Sequence, residues 1–283
     1  MDKSAIGAMI KTFYWHERIK SRPRLVLDRV IRKRPWNDFR YGNAGDIFAI
    51  NILNTFYPGL PVTNLTNAPR ILCVGSIGHN LQPGDVACGI GCRTSELPKV
   101  QKESAYIHAL RGPISLDIFR KAGYDVSTVK FLADPGLLIA KYSSERSSIA
   151  GRVIFIPHYR ERDRFARNLP KGIRYVDIDN PPHLLAKAIM KAECVYSSSL
   201  HGIIFAHALG RPCVFVKPST KEPLLKFEDY YLSMGLCFPR PLDSIFDADY
   251  LAAPTSPVEL SVKSSEIVFP PFSFLANRGI IEV

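Results

Sequence analysis

The chain has 283 residues, 46% hydrophobic and 22% charged, a balance that excludes the disordered class and suits one large domain or two of ordinary size. Lysine and arginine number 37 against 26 acidic residues, a formal charge of +11, which favours anionic partners such as nucleic acid, an anionic membrane face or phosphorylated small molecules. No run of about 18 uncharged apolar residues argues for a spanning helix, and the first residues lack the apolar block of a secretory leader, so a cytoplasmic protein is expected.

The first feature along the chain is basic. Between Lys11 and Arg40 arginines and lysines interleave with Phe13, Tyr14, Trp15, Leu25, Val26, Leu27, Val30 and Ile31. Such a segment fits either an anionic membrane surface or a solvated helical face packed on the domain. Next comes RYGNAGDIFAINIL (40–53), where Gly42 and Gly45 bracket Asn43 ahead of an apolar helix. Asp46 is its expected cap, which leaves backbone N–H groups free to face a ligand. A carboxylate there disfavours a neighbouring phosphate, so Asp46 reads as a hydroxyl contact or general base, or as a helix cap alone. The spacing matches neither a Walker loop nor a dinucleotide fingerprint.

From about residue 70 short apolar runs alternate with helical patterns. Strands are expected over 70–76, 85–91 and 105–111, then a helix over 112–123 with Pro113 in its first turn and Gly123 past its end. The polar stretch 141–151 has the composition of a linker. Beyond it strands are expected at 152–157, 173–178, 193–198 and 212–217, with helices at 183–192 and 200–209. Strands alternating with helices imply parallel sheets. The tail beyond Leu242 is broken by prolines and either lies on the surface or packs back across the domains. Cys73, Cys194 and Cys213 lie in apolar runs, and Cys88 and Cys92 form a CxxxC without a second pair. These read as buried thiols rather than metal ligands.

Parallel sheets bind ligands beyond the carboxyl ends of their strands, and three further candidates fall there. Arg111 ends a strand ahead of a helix N-terminus, where a guanidinium and the helix dipole can share one anion. His158 and Arg160 follow the strand over 152–157. His201 stands in the first turn of the helix in SSSLHGIIFAHALGRP, where the dipole disfavours imidazolium and lowers its pKa. A bound phosphate reverses that, so the imidazole can be neutral in an empty site and act as a general acid once a dianion arrives. His207 points to another face and reads as structural.

Taken in order, GNAGD (42–46), ALRGPIS (109–115), LADPGLL (132–138) and SSSLHGIIFAHALGRPCVFV (197–216) resemble the polysaccharide pyruvyl transferase family. With IPHY (156–159) and LLKFEDYY (224–231) added, the sequence is most similar to bacterial exopolysaccharide ketal pyruvyltransferases of the xanthan and succinoglycan type. The resemblance implies two Rossmann-like domains with parallel sheets in a GT-B-like architecture, divided here into 1–148 and 149–283. It implies phosphoenolpyruvate as donor, a lipid-linked oligosaccharide or polysaccharide acceptor, a pyruvate ketal product, and neither metal nor organic cofactor. On that reading His201 is the acid and Asp46 a catalytic partner. Arg111 leads the donor-binding groups, with Ser199, His158, Arg160, Lys217 and Lys226, while Asn43, Gly45 and Asp134 belong to the acceptor side or its loops. One position departs from the family pattern. Many members carry arginine where this chain has Ser199, so other cations must take over its task.

Two further readings compete. A glycosyltransferase of the same architecture would use a nucleotide sugar, and a non-catalytic basic protein would bind a membrane surface or a polyanion. No nucleic-acid motif is recognisable, and the expected location is cytoplasmic, peripheral at the inner face of the membrane.

Overall fold

β-Branched and aliphatic runs build two sheets. In the computed structural model, residues 7–16, 30–31, 39–97, 105–142, 148–249 and 253–282 are described. Among them, the first sheet comprises β1 (Met9–Thr12), β2 (Val62–Asn64), β3 (Ile71–Leu72), β4 (Val86–Ile90), β5 (Tyr106–Leu110) and β6 (Phe131–Leu132), completed by the C-terminal β11 (Ile281–Glu282). Its order is β11-β1-β3-β4-β5-β6, with β2 also beside β1. The second sheet runs β10-β9-β7-β8, from β7 (Val153–Ile156), β8 (Ile173–Tyr175), β9 (Cys194–Ser197) and β10 (Cys213–Phe215). Every pairing is parallel except β1 with β11. The expected parallel α/β fold is therefore present.

Alternation of side chains along each strand sorts the apolar residues into layers. Ile154 and Ile156 of β7 and Val195 of β9 enter one large cluster, while Phe155 and Tyr196 face a smaller one on the other side. In β4 the alternation breaks. Val86 and Cys88 join the large cluster, Ala87 and Ile90 a third, and register shifts flank Cys88. The cause is Gly89, whose φ of 102° makes a bulge and whose missing Cβ leaves room for the Pro135 ring. Cys88 and Cys92 thereby fall in different clusters, so the CxxxC pair does not face a shared site.

The large cluster joins the sheets. It draws Phe48, Ile52 and Leu53 from the helix Ala49–Phe56 and its start, Val86 from the first sheet, and Ile154, Ile204, Phe205 and Tyr230 from the second half. The helix Leu200–Ala208 is apolar on all sides and buried from Leu200 through His207, as an all-round apolar helix must be. Packing crosses the expected 148/149 division at several places: β11 returns to pair with β1, Asn43 bridges to Asp179, and the helix Leu225–Ser233 packs on the helix Pro113–Lys121. The tail runs largely exposed and ends by packing back on the first sheet, where β11 pairs with β1.

Two expectations for the N-terminal region need correction. β1 is an interior strand hydrogen-bonded on both sides, so Lys11 and its neighbours are not a helical face; Lys11 pairs with Glu282 of β11. Tyr14 is buried and Phe13 packs on a core cluster, so these aromatics are not offered to a membrane. Most of the basic stretch, 17–29 and 32–38, lies outside the described residues.

Candidate functional site

A cavity of about 230 Å³ opens where strand ends from both sheets meet. Its wall is built almost wholly from segments that follow carboxyl ends: Trp15 after β1, Ser76 to Asn80 after β3, Arg93 after β4, His158 to Arg160 after β7, Ser199 to His201 after β9, and Glu222 with Lys226 after β10. Asn43 and Asp46 close it. The volume lies below the roughly 300–1,000 Å³ of drug-sized sites, which suits a small ligand.

Each serine of the SSSLHG run has its own task. Ser197 Oγ donates to a main-chain carbonyl and sits where a side chain on Gly202 would collide, so strand and helix approach closely. Ser198 Oγ donates to the buried Glu161 carboxylate at 2.6 Å and accepts from the His158 N–H at 2.8 Å, fixing the neighbouring loop. Ser199 and His201 are then left on the cavity wall. The His201 ring presses on the backbone of Gly45: a Cβ there would lie 1.9 Å from His201 Cγ. This contact, rather than a φ requirement, demands glycine at 45.

The glycine loop is held differently from expectation. Asn43, not Asp46, caps the helix Ala44–Ile47, its Oδ1 accepting from Gly45 N. The N–H groups of Arg40, Tyr41 and Gly42 are not free for a ligand, because all three donate to the Asp179 carboxylate at 2.7–2.9 Å. Asp179 also pairs with Arg162 at 2.8 Å. A carboxylate of the second half thus anchors the loop that carries Asp46, and Asp46 is released to the cavity as a buried acid.

Burial, reinforced by Asp134, pushes Asp46 up to about 7 against the pull of Lys226. His201 Nδ1 lies 4.0 Å from Asp46 Oδ1. Burial first, then Lys226 and Arg111, brings His201 down to about 3. The helix dipole expected from sequence is therefore not the main cause. His201 Nε2 has no hydrogen-bond partner among the described residues. His158 is likewise held well below its usual range, by burial and then by Lys226, Arg160 and Arg93.

The cations converge on one buried carboxylate. Glu222 accepts from Lys226 Nζ at 2.7 Å and Arg93 Nη2 at 2.9 Å, with Arg160 Nη1 at 3.4 Å and His158 Nε2 at 3.9 Å. Burial would raise Glu222, but Lys226, Arg93 and Arg160 prevail and hold it below the usual carboxylate range. Three cations against the Glu222 carboxylate leave two positive charges in this cluster, with the His158 and His201 imidazoles neutral.

Of the residues singled out in the sequence, His201, Asp46, Ser199, His158, Arg160, Lys226 and Asn43 meet on this wall, with Gly45 directly behind His201. Three do not reach it. Arg111 is fully buried one layer back, its Nε pairing with Asp229 at 3.1 Å, Nη1 donating to Ser76 Oγ at 2.7 Å and Nη2 to the Cys92 carbonyl at 3.0 Å. Among the arginines that follow strand ends of the first sheet, Arg93 and not Arg111 lines the cavity, and Arg111 holds Ser76, which does line it. Lys217 lines a separate small depression and lies 3.9 Å from Asp243. Asp134 is buried, Oδ1 accepting from Gly136 N, and burial raises it to about 6. Arg93, Glu222, Ser76, His79, Asn80, Trp15 and Tyr159 were missed. Arg93 carried a usable signal, since it follows the end of the strand expected over 85–91, whereas Trp15 follows β1, which the sequence did not reveal.

Fold and wall together define an α/β protein whose parallel strands present a cationic crevice at their carboxyl ends. Within that class, residues 97–220 match the family model described as polysaccharide pyruvyl transferase, a stretch that includes His158, Arg160, Ser199 and His201. The match supports a pyruvyl transferase, in line with the family that the sequence resembles. A curated relative, an uncharacterized protein of Acanthamoeba polyphaga mimivirus, is 32% identical over 179 residues, covering 59% of this chain and 61% of the relative's length. No solved structure matches. Among the described residues no helix is long and apolar enough to cross a membrane.

Proposed function

We propose that the chain transfers the enolpyruvyl group of phosphoenolpyruvate to a sugar of a polysaccharide or its lipid-linked precursor, forming a pyruvate ketal and releasing phosphate. The observation that carries this reading is the convergence of Arg93, Arg160 and Lys226 beside His201 in a small cavity. The two uncompensated positive charges suit a ligand bearing a phosphate and a carboxylate.

The acid and base follow from the Asp46–His201 pair. With Asp46 raised to about 7 and His201 brought down to about 3, a proton held by the pair in the empty site sits on the carboxyl and not on the ring, and the imidazole is neutral. A bound dianion reverses the field of Lys226 at His201, and the proton passes from the carboxyl to the ring across their 4.0 Å gap as it closes. His201 then protonates the donor methylene, which becomes a methyl group while the adjacent carbon takes up the first sugar hydroxyl. Ionised Asp46 accepts that hydroxyl's proton. The second hydroxyl displaces phosphate, which leaves with the second proton. The cations stabilise charge on the departing phosphate.

The test is to incubate the protein with phosphoenolpyruvate and extracted lipid-linked oligosaccharides, following phosphate release and the gain of one pyruvate mass on the sugar. Thermal protection by a nucleotide diphosphate sugar, with none by phosphoenolpyruvate, would replace this reading by glycosyl transfer. Attachment to an anionic membrane through the basic segment is part of the proposal. Because β1 lies inside the sheet, it is tested by reversing Arg32, Lys33 and Arg34 to glutamate rather than by truncation. Unchanged vesicle binding would remove that part.

A further inference from the structure

The anion reading leaves the aromatic part of the cavity wall unused. Trp15 follows β1, and its position is fixed by a reciprocal clamp: Tyr14 N–H donates to Asn64 Oδ1 at 3.3 Å, and Asn64 Nδ2 donates to the Tyr14 carbonyl at 3.0 Å. Its ring lies 5.1 Å from that of Tyr159 with planes at 40°, and meets Phe39 edge-on at 5.6 Å. Trp15 comes from the first sheet and Tyr159 from the second, so the pair spans the crevice. Arg160 sits over the Tyr159 ring at 5.3 Å and donates from Nε to its hydroxyl at 2.9 Å, locking that ring in turn. Trp15 is half-buried, and both rings line the same cavity as Asn43, His79 and Asn80.

This pairing of surfaces matches one class of molecule. A pyranose presents a face of C–H groups and an edge of hydroxyls. The face fits a rigid aromatic plane, and the edge fits amide and imidazole groups that both donate and accept. A phosphate or carboxylate needs neither. Two rings fixed by hydrogen bonds and packing also lose little freedom when a ligand docks.

We infer that Trp15 and Tyr159 form the seat for a pyranose ring of the acceptor, next to the cationic wall, with Asn43, His79 and Asn80 reading its hydroxyls. The inference rests on the transfer reading for the word acceptor, but sugar binding at Trp15 stands or falls by itself.

The chain has two tryptophans, Trp15 and Trp36, so Trp36→Phe leaves Trp15 as the only indole. This variant is titrated, without any donor, with the methyl glycosides of glucose, galactose, mannose and N-acetylglucosamine at millimolar concentrations, reading indole emission. At least one glycoside should change the emission saturably. In the otherwise intact chain, Trp15→Ala should weaken binding of that glycoside by about tenfold or more, and Trp15→Phe by less, since a ring is kept. The melting-temperature rise given by phosphoenolpyruvate should persist in both variants, which also shows that they fold. No emission change with any glycoside, or an affinity for the responding glycoside that Trp15→Ala leaves within about twofold, overturns the inference. Absence of any phosphoenolpyruvate effect on the parent protein overturns the donor assignment instead and leaves the sugar titration interpretable.

Discussion

His201 Nδ1 stands 4.0 Å from Asp46 Oδ1, and the ring rests on the backbone of Gly45, one residue before that aspartate. The glycine loop and the SSSLHG helix are remote in sequence, yet they place an acid and an imidazole in one buried pair. A histidine at the helix start is what meets the glycine loop there.

Gly45→Ala should displace the His201 ring, since the added Cβ would fall 1.9 Å from its Cγ. Overpacking of this kind costs about 1–3 kcal/mol, and a displaced acid loses the roughly 10²–10⁴-fold that a positioned one supplies. Transfer should fall at least about a hundredfold while denaturant melts show a modest loss. Wild-type turnover in Gly45→Ala would remove His201 from the mechanism.

The pair also predicts an unusual pH response. His201 is brought down to about 3, so the unfolded chain binds the proton more readily and stability falls as pH drops below the ordinary imidazole range. Asp46 is raised to about 7, so its contribution is fully present at low pH and is lost as pH rises towards 7. Between about pH 4 and 6.5 the slopes oppose each other and cancel. Asp46→Asn should expose the histidine slope, about 1.4 kcal/mol per pH unit, as a steep loss of stability on acidification. Urea melts at several pH values read it; parallel profiles for variant and parent would contradict it.

Glu222→Ala should leave the buried Lys226 ammonium uncompensated beside Arg93 and Arg160. Breaking such a pair costs about 3–5 kcal/mol. An anion can occupy the gap, so inorganic phosphate should raise the melting temperature of Glu222→Ala more than that of the parent. Chloride at matched ionic strength should not, and equal effects of the two salts would argue that Glu222 does not organise an anion site.

Arg111→Gln tests whether that residue is a structural partner of Asp229. It strands the buried carboxylate of Asp229, which otherwise also accepts from Ser115 N at 3.0 Å and Oγ at 2.6 Å. About 3–5 kcal/mol of stability should be lost. Arg93→Gln, at the half-exposed cavity wall, should cost little stability and weaken phosphoenolpyruvate protection instead. Exchange of these two outcomes would restore Arg111 as the clamp.

Local patterns made much of this protein legible. Alternating apolar runs mark the strands, Pro113 and Gly123 bracket their helix, and the strand-end rule points to the loops at 158–160 and 199–201. The glycine loop's partner was not legible, because Asp179 lies far along the chain and nothing local distinguishes it from its neighbour Asp177 as the one that meets the loop. β1 was hidden by its charge: Lys11 finds Glu282 only once the C-terminus returns to the sheet.

The sequence by itself determined the parallel α/β plan and pointed to Asp46, His158 and His201 at strand ends and helix starts, because spacing and propensity act over a few residues. Only the tertiary structure decided which arginine lines the cavity. Arg111 and Arg93 both follow strand ends, and the difference between them is that Asp229 folds back beneath one while the other is left at the open wall. A buried guanidinium must be paired, and its partner comes from a helix more than a hundred residues away, beyond the reach of any local pattern.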